Sequence, residues 1–343
     1  MDIERLDLSR LDPNVRAYIE NLEAELDHLR ERDYAETNSA AALEPSEPPT
    51  TLNVITISEG GIAKRTPRHL YDRQRRGGMG VFDLETSKDD PPAILTIADE
   101  QQTLVLLTNQ ARAFRLPVGE LLESPVHGRG QSITTPLPLL AQERIELVFP
   151  DQGKGYIALV SQSGYVRCLR HHYIGENLRP GTNLYNLRDF GPPAAACWTS
   201  GDSDLLITTR QGRAIRFAEK SVPLQGGPGI RLEQSDAAVA IASVSAESCV
   251  FLLTADGKGT LRLMSGFSAN KAPGGGGKSA MKTDRLVGAV AVEEDDDIFI
   301  LSRLSKIIRF RAAEVPPKED VVQGVNCMAL RADETVAVVG SSV

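Results

Sequence analysis

At 343 residues, 41% of them hydrophobic, the chain can close a core as one large repeat domain or two ordinary ones, without disulfides or metal. Its four cysteines, Cys168, Cys197, Cys249 and Cys327, form no Cys-x-x-Cys pair and have no histidine at ligand spacing. Reduced thiols are therefore expected, with no metal, no cofactor and no disulfide framework. No apolar run approaches the roughly 20 residues that span a bilayer, and the start Met1-Asp-Ile-Glu-Arg5 is acidic where a secretory signal is basic. The expectation is a cytoplasmic protein with no membrane partner. The net charge of -8 sits in residues 1–50, which hold 5 Lys/Arg against 13 Asp/Glu, while the remaining 33 of each sign balance. What matters for binding is therefore where the later cations fall.

The first element is a helix from Asp12 to about Arg32. Asp12 is its N-cap, Pro13 takes the first helical position, and Val15, Ile19, Leu22, Leu26 and Leu29 form an apolar seam. A seam of roughly two and a half heptads fits either packing on the main domain or a weak homodimer. Residues 1–35 are accordingly set apart as the helical segment. Residues 36–50, aperiodic and proline-bearing, make a linker.

From residue 51 to 343 the chain repeats. Six openings, each a β-branched or Leu-rich run, a turn and a short strand ending at a basic residue or Cys168, run from Val54 to Arg65, Val105 to Arg115, Ile157 to Cys168, Leu206 to Arg216, Phe251 to Arg262 and Ile298 to Arg309. Their last residues are 50, 53, 48, 46 and 47 apart. A period near 50 with almost no helical periodicity predicts an all-β fold of six four-stranded blades around an axis, preceded by the one helix. A glycine stands 13 residues past the aligned position in five units, at Gly78, Gly128, Gly181, Gly229 and Gly275, and is missing from the sixth. Such a position calls for positive φ or a close backbone approach.

Between the first opening and its next strand lies Gln74-Arg75-Arg76-Gly77-Gly78-Met79-Gly80. It resembles, at six of seven positions, the box motif of the C-terminal domain of DNA gyrase A, and the region as a whole resembles that domain and its topoisomerase IV counterpart. The resemblance spans residues 51–343. It implies a β-pinwheel, a six-bladed propeller whose blades exchange strands, that wraps double-stranded DNA along a basic outer rim and works with gyrase or topoisomerase IV subunits. It places Gln74, Arg75, Arg76, Gly77, Gly78 and Gly80 in the DNA-binding box; Met79 departs from the pattern by removing one cation.

A rim that holds duplex without reading sequence needs Lys and Arg near phosphates. The candidates recur blade by blade: Lys64, Arg65 and Arg73, then Arg112, Arg115 and Arg129, then Arg167 and Arg170, then Arg213 and Arg216, then Arg262 and Lys278, then Lys306 and Arg309. The alternative for each is a solvated blade edge that discourages aggregation. Ala272-Pro-Gly-Gly-Gly-Gly-Lys278-Ser279 has the look of a phosphate-binding P-loop but lacks the strand-to-helix context that loop needs. Adjacent histidines His171 and His172 point to opposite faces of a strand, so they make no metal pair. The acidic run Glu293 to Asp297 reads as a solvated loop. No catalytic residue is assigned, since the helical segment is too short for a DNA-cleaving tyrosine domain. The resulting reading is a non-catalytic, nucleoid-associated bacterial module that binds and bends duplex DNA; a propeller scaffold for protein partners is the alternative.

Overall fold

The repeated runs form strands because β-branched and leucine side chains fit a pleated surface, and the intervening Gly, Asn, Asp and Ser residues turn the chain. These runs lack the usual in-and-out alternation. Leu104, Val105, Leu106 and Leu107 are all fully buried, as are Ile298 to Leu301, because each sheet is covered on both faces by neighbouring blades. The computed structural model describes residues 47–342, so the expected helix of residues 12–32, its dimer seam and most of the linker lie outside the described residues.

Six sheets make six blades. In blade 1 the hairpin Leu52–Ser58 and Ile62–Pro67 is flanked inside by Pro92–Asp99 and outside by Gln131–Ser132. That outermost strand belongs to the segment following the hairpin of blade 2. The same exchange recurs around the ring: Thr182–Asn183 lies on blade 2, Gly227–Pro228 on blade 3, Lys278–Ser279 on blade 4, Val325–Asn326 on blade 5 and Val81–Phe82 on blade 6. Each unit thus sends an arm back to the outer edge of the preceding blade, and the arm of blade 1 closes the ring on blade 6. Blade 5 carries one further short strand, Pro317–Lys318, running parallel to Leu261 and Arg262. The inner strands line a central opening of about 270 Å³ walled mostly by alanine, valine, leucine and isoleucine.

The exchange explains the glycines and corrects their register. Two residues before the arm residue that pairs with the first position of each outer hairpin strand stand Gly80, Gly130, Gly181, Gly226, Gly277 and Gly324. All six blades have one, including the sixth, where none was expected at the offset read from sequence. Five of the six have φ between 67° and 84°. At Gly80 a Cβ would lie 2.6 Å from the Ile307 carbonyl oxygen and at Gly324 2.6 Å from that of Gly259, so the arm can lie against the hairpin only without a side chain there.

Apolar clusters fill the seams between neighbouring blades. The seam between blades 6 and 1 has six buried apolar residues, Val54, Tyr71, Leu95, Phe299, Leu301 and Ile307, where the others have ten to thirteen. Ion pairs make up the difference. Lys64 Nζ donates to Asp83 Oδ1 at 2.6 Å and to the carbonyls of Pro125 and Val126, while Tyr71 and Thr56 hydroxyls donate to the same carboxylate. Both partners are fully buried. Burial pulls the Lys64 ammonium below its ordinary range, and the Asp83 charge works against that pull. Nearby, Arg309 and Arg73 share Asp297, and Glu47 bridges Arg68 and Arg309.

Candidate nucleic-acid interface

The box is the arm of blade 1, and backbone bonds decide its shape. Gln74 N donates to Arg309 O at 2.7 Å, Gly78 N to Arg75 O at 3.1 Å and Gly77 N to Cys327 O at 2.9 Å. The Gln74 side chain folds back so that its Oε1 accepts from Gly80 N at 3.2 Å, which staples the loop into one turn before Val81–Phe82 pairs with Ile307 and Lys306. Arg76 points inward. Its Nε and Nη1 donate to the Glu314 and Asn326 carbonyls at 3.0 and 2.9 Å, and its backbone N–H donates to the Glu314 carboxylate. Beneath it, burial pushes the Cys327 thiol up to about 12, which the Arg76 charge offsets only in part. Arg75 is exposed and its side chain meets no hydrogen-bonding or ionic partner among the described residues. Lys306 stands on the same edge with Nζ 5.2 Å from the centre of the Phe82 ring.

Seven of the rim candidates fall into two columns that sequence spacing alone merged. The first lies at the opening residue of the outer hairpin strand, opposite the exchanged arm: Arg112, Arg213 and Lys306, with Lys258, Ile62 and Tyr165 in the remaining blades. These positions face outward and are exposed or half-buried. The second lies three residues on, at Arg65, Arg115, Arg216 and Arg309, and faces the next blade. There the guanidinium groups bond carbonyls at the end of the neighbour's turn after its hairpin. Arg65 Nε donates to Leu121 O at 3.1 Å, Arg115 Nη1 to Ile174 O at 2.6 Å, Arg216 Nη1 to Phe267 O at 3.3 Å and Arg309 Nη1 to Tyr71 O at 3.0 Å. Short turns leave such carbonyls without backbone donors, and the arginine fork supplies them.

Five expected rim residues, Lys64, Arg65, Arg216, Arg262 and Arg309, are therefore interior, which corrects their placement on the outer edge. Arg73, Arg112 and Arg115 are half-buried and paired with Asp297, Glu143 and Asp151. Arg167 is half-buried, and Arg213 bonds the carbonyls of Gly276 and Gly277. Arg129 is exposed but paired with Glu85 at 3.0 Å; Arg170 and Lys278 are exposed. The acidic run is corrected too, since Asp297 is fully buried as the counter-charge of Arg309 and Arg73. Sequence reasoning missed this residue and Asp83 because an isolated carboxylate beside a loop carries no sign of its partner. His171 bonds Asp151 at 2.8 Å and leans on Trp198, and no group of His, Cys, Asp or Glu among the described residues could hold a metal.

Six four-stranded blades with an outer strand exchanged at every step, closed by a basic glycine-rich arm, define the chain as a β-pinwheel. The family described as DNA gyrase C-terminal domain, beta-propeller, matches residues 52–90, 102–135, 203–245 and 296–340. DNA gyrase A from Mycobacterium bovis is 28% identical over 299 residues, covering 82% of this chain and 35% of the relative; that from Escherichia coli K12 is 25% identical over 295 residues, covering 82% and 34%. The chain thus spans about a third of the length of these curated relatives. Among solved structures, a DNA gyrase A C-terminal domain superposes with a TM-score of 0.74 at 23% identity, covering 84% of this chain and 98% of that one. The C-terminal domain of a DNA topoisomerase IV gives 0.61 at 18%, covering 86% and 95%. The repeat region belongs to the DNA gyrase A C-terminal-domain family.

Proposed function

We propose that the repeat region binds the backbone of double-stranded DNA along its outer edge, independently of sequence, and bends it there. The observation that carries this reading is the box: a loop stapled by its own glutamine on the outer edge of blade 6, presenting Arg75, which has no partner among the described residues, on the edge that also carries half-buried Lys306. A guanidinium with no internal partner is available to a phosphate, and the glycines around it let a duplex come close. The reading assigns cleavage chemistry to none of the blades and makes gyrase or topoisomerase IV subunits the partners, on DNA in the bacterial cytoplasm. Met79 leaves the box one cation short of the motif it resembles. Bending stiff duplex costs several kcal/mol, so wrapping is expected to be weaker than binding.

The test is a mobility-shift titration on linear duplex at several salt concentrations. Affinity should be independent of sequence and fall with a log-log slope of about -0.9 per phosphate neutralised. A flat salt response would show that the edge is a protein-binding scaffold instead.

A further inference from the structure

One position of the exchanged arms departs from the repetition of the ring. The arm residue paired with the first position of the outer hairpin strand is serine, asparagine or proline in five blades, at Ser132, Asn183, Pro228, Ser279 and Asn326. On blade 6 it is Phe82, opposite Lys306. The other blades close with a small or polar residue there, and Phe82 is 54% exposed, so packing does not call for its ring.

Phe82 walls an open groove of about 770 Å³ between the arm of blade 1 and the hairpin turn of blade 6, lined also by Leu84, His127 and half-exposed Leu304. The His127 ring, itself exposed, lies 6.1 Å from the Phe82 ring and is tilted 39° from it. Rings set at that angle leave face area uncovered, and a planar π system gains by covering it. Cations stand around the aromatic pair. Lys306 Nζ is 5.2 Å from the centre of the Phe82 ring, and exposed Lys88 has no side-chain hydrogen bond or ion pair among the described residues. The one carboxylate of the lining, Glu85, is held by Arg129 at 3.0 Å.

A ligand suited to this groove brings a flat apolar face and a negative charge together. A duplex does not, because its base faces are stacked on one another and its outside is phosphate and sugar. An unpaired nucleotide does: its base stacks on aromatic side chains while its phosphate meets lysine. We infer that the groove holds an unpaired base of single-stranded DNA against Phe82 and His127, with the adjoining phosphates on Lys88 and Lys306. This role rests on the DNA reading of the box, which sets a duplex on the same edge, and it gives that edge a second ligand, strand that has opened at a gap or a frayed end. Every base has a π face, so the groove selects strandedness and not sequence.

The experiment titrates the full chain by fluorescence anisotropy against a labelled thymidine oligomer of about 10 nucleotides and, separately, against labelled linear duplex, with thermal melting measured alongside. Phe82→Ala should lose about tenfold or more on the single strand, the effect of removing one stacking ring, while binding duplex within about threefold of the parent and melting as the parent does. Phe82→Tyr, which keeps a ring, should bind the strand within about threefold of the parent. The groove is no base site if the parent does not bind the strand, if Phe82→Ala binds it as the parent does, if Phe82→Tyr loses as much as Phe82→Ala, or if Phe82→Ala loses strand and duplex alike. A parent that binds the strand through Phe82 but binds no duplex would overturn the reading of the box and leave the groove standing.

Discussion

Arg75 and Arg76 are neighbours in the box, but among the described residues only the Arg76 side chain is bonded, so their substitutions should separate. Arg76 makes three polar contacts to blade 6 and its arm, and truncating it leaves the Glu314 and Asn326 carbonyls short of donors. Charge-assisted bonds of this kind are worth about 1.5 to 3 kcal/mol each when buried, and less here because Arg76 is half-buried. Arg76→Ala is expected to lower the melting temperature by about 2 to 4 °C, the shift that roughly 1 kcal/mol produces in a large domain. Arg75→Ala should leave melting unchanged and weaken DNA binding by about one phosphate in the salt slope. Equal thermal losses for both would mean that the box only latches blades together. The box was legible in the sequence as a motif, but which of its arginines faces solvent was not, because that depends on a carbonyl more than 200 residues away.

At the scale of the blade, the sequence period predicted six sheets and their approximate openings, and the structure has both. It could not separate the outward column of cations from the seam column. Three residues along a twisted strand reverse the face, and only the exchanged arm reveals which face is covered. Alignment on terminal basic residues also slipped at blade 5. There Leu261 pairs with Phe251 as Arg309 pairs with Phe299, and Arg262 lies one residue later. The seam between blades 3 and 4 departs in another way, with Cys168 in place of the arginine and the buried Glu219 facing it. Burial lifts the Glu219 carboxyl above its ordinary 4.5, bonds from Thr199, Cys168 and the Gly201 N–H only partly oppose this, and Asp202 adds to the rise. Its folded-state value is raised, so its contribution to stability is fully present below about pH 4.5 and is lost as pH climbs through the raised value. Glu219→Gln should therefore melt higher than the parent at pH 7, with the advantage vanishing at pH 4. A gain of equal size at both values would place its cause outside this ionisation.

Ring closure belongs to the whole molecule, and the closing seam is the least apolar and most ionic of the six. The two positions of its central pair are apolar in most other blades. Where blade 1 has Lys64, blades 2, 4 and 6 have Phe114, Ile215 and Ile308; where the arm of blade 1 has Asp83, later arms have Ile133, Leu184, Ala280 and Cys327. Burying two charges costs several kcal/mol that their attraction repays only when the geometry is good, so an apolar pair in the same place would hold the ring about as well. What the ion pair adds is identity. With arms of similar build, an unmarked arm from blade 1 can settle on the outer edge of a wrong blade during folding and leave blade 6 open to an arm of another copy, a route to swapped oligomers. Removing one partner, in Asp83→Leu, leaves a buried ammonium uncompensated and should cost about 3 to 5 kcal/mol. The double variant Lys64→Met, Asp83→Leu should recover most of that loss in a denaturant titration, yet return from refolding with a larger fraction of dimers and higher oligomers in size-exclusion chromatography than the parent. A double variant that refolds wholly to the parent's size distribution would show that arm length and the glycine register alone specify closure, and that the ion pair is there for stability.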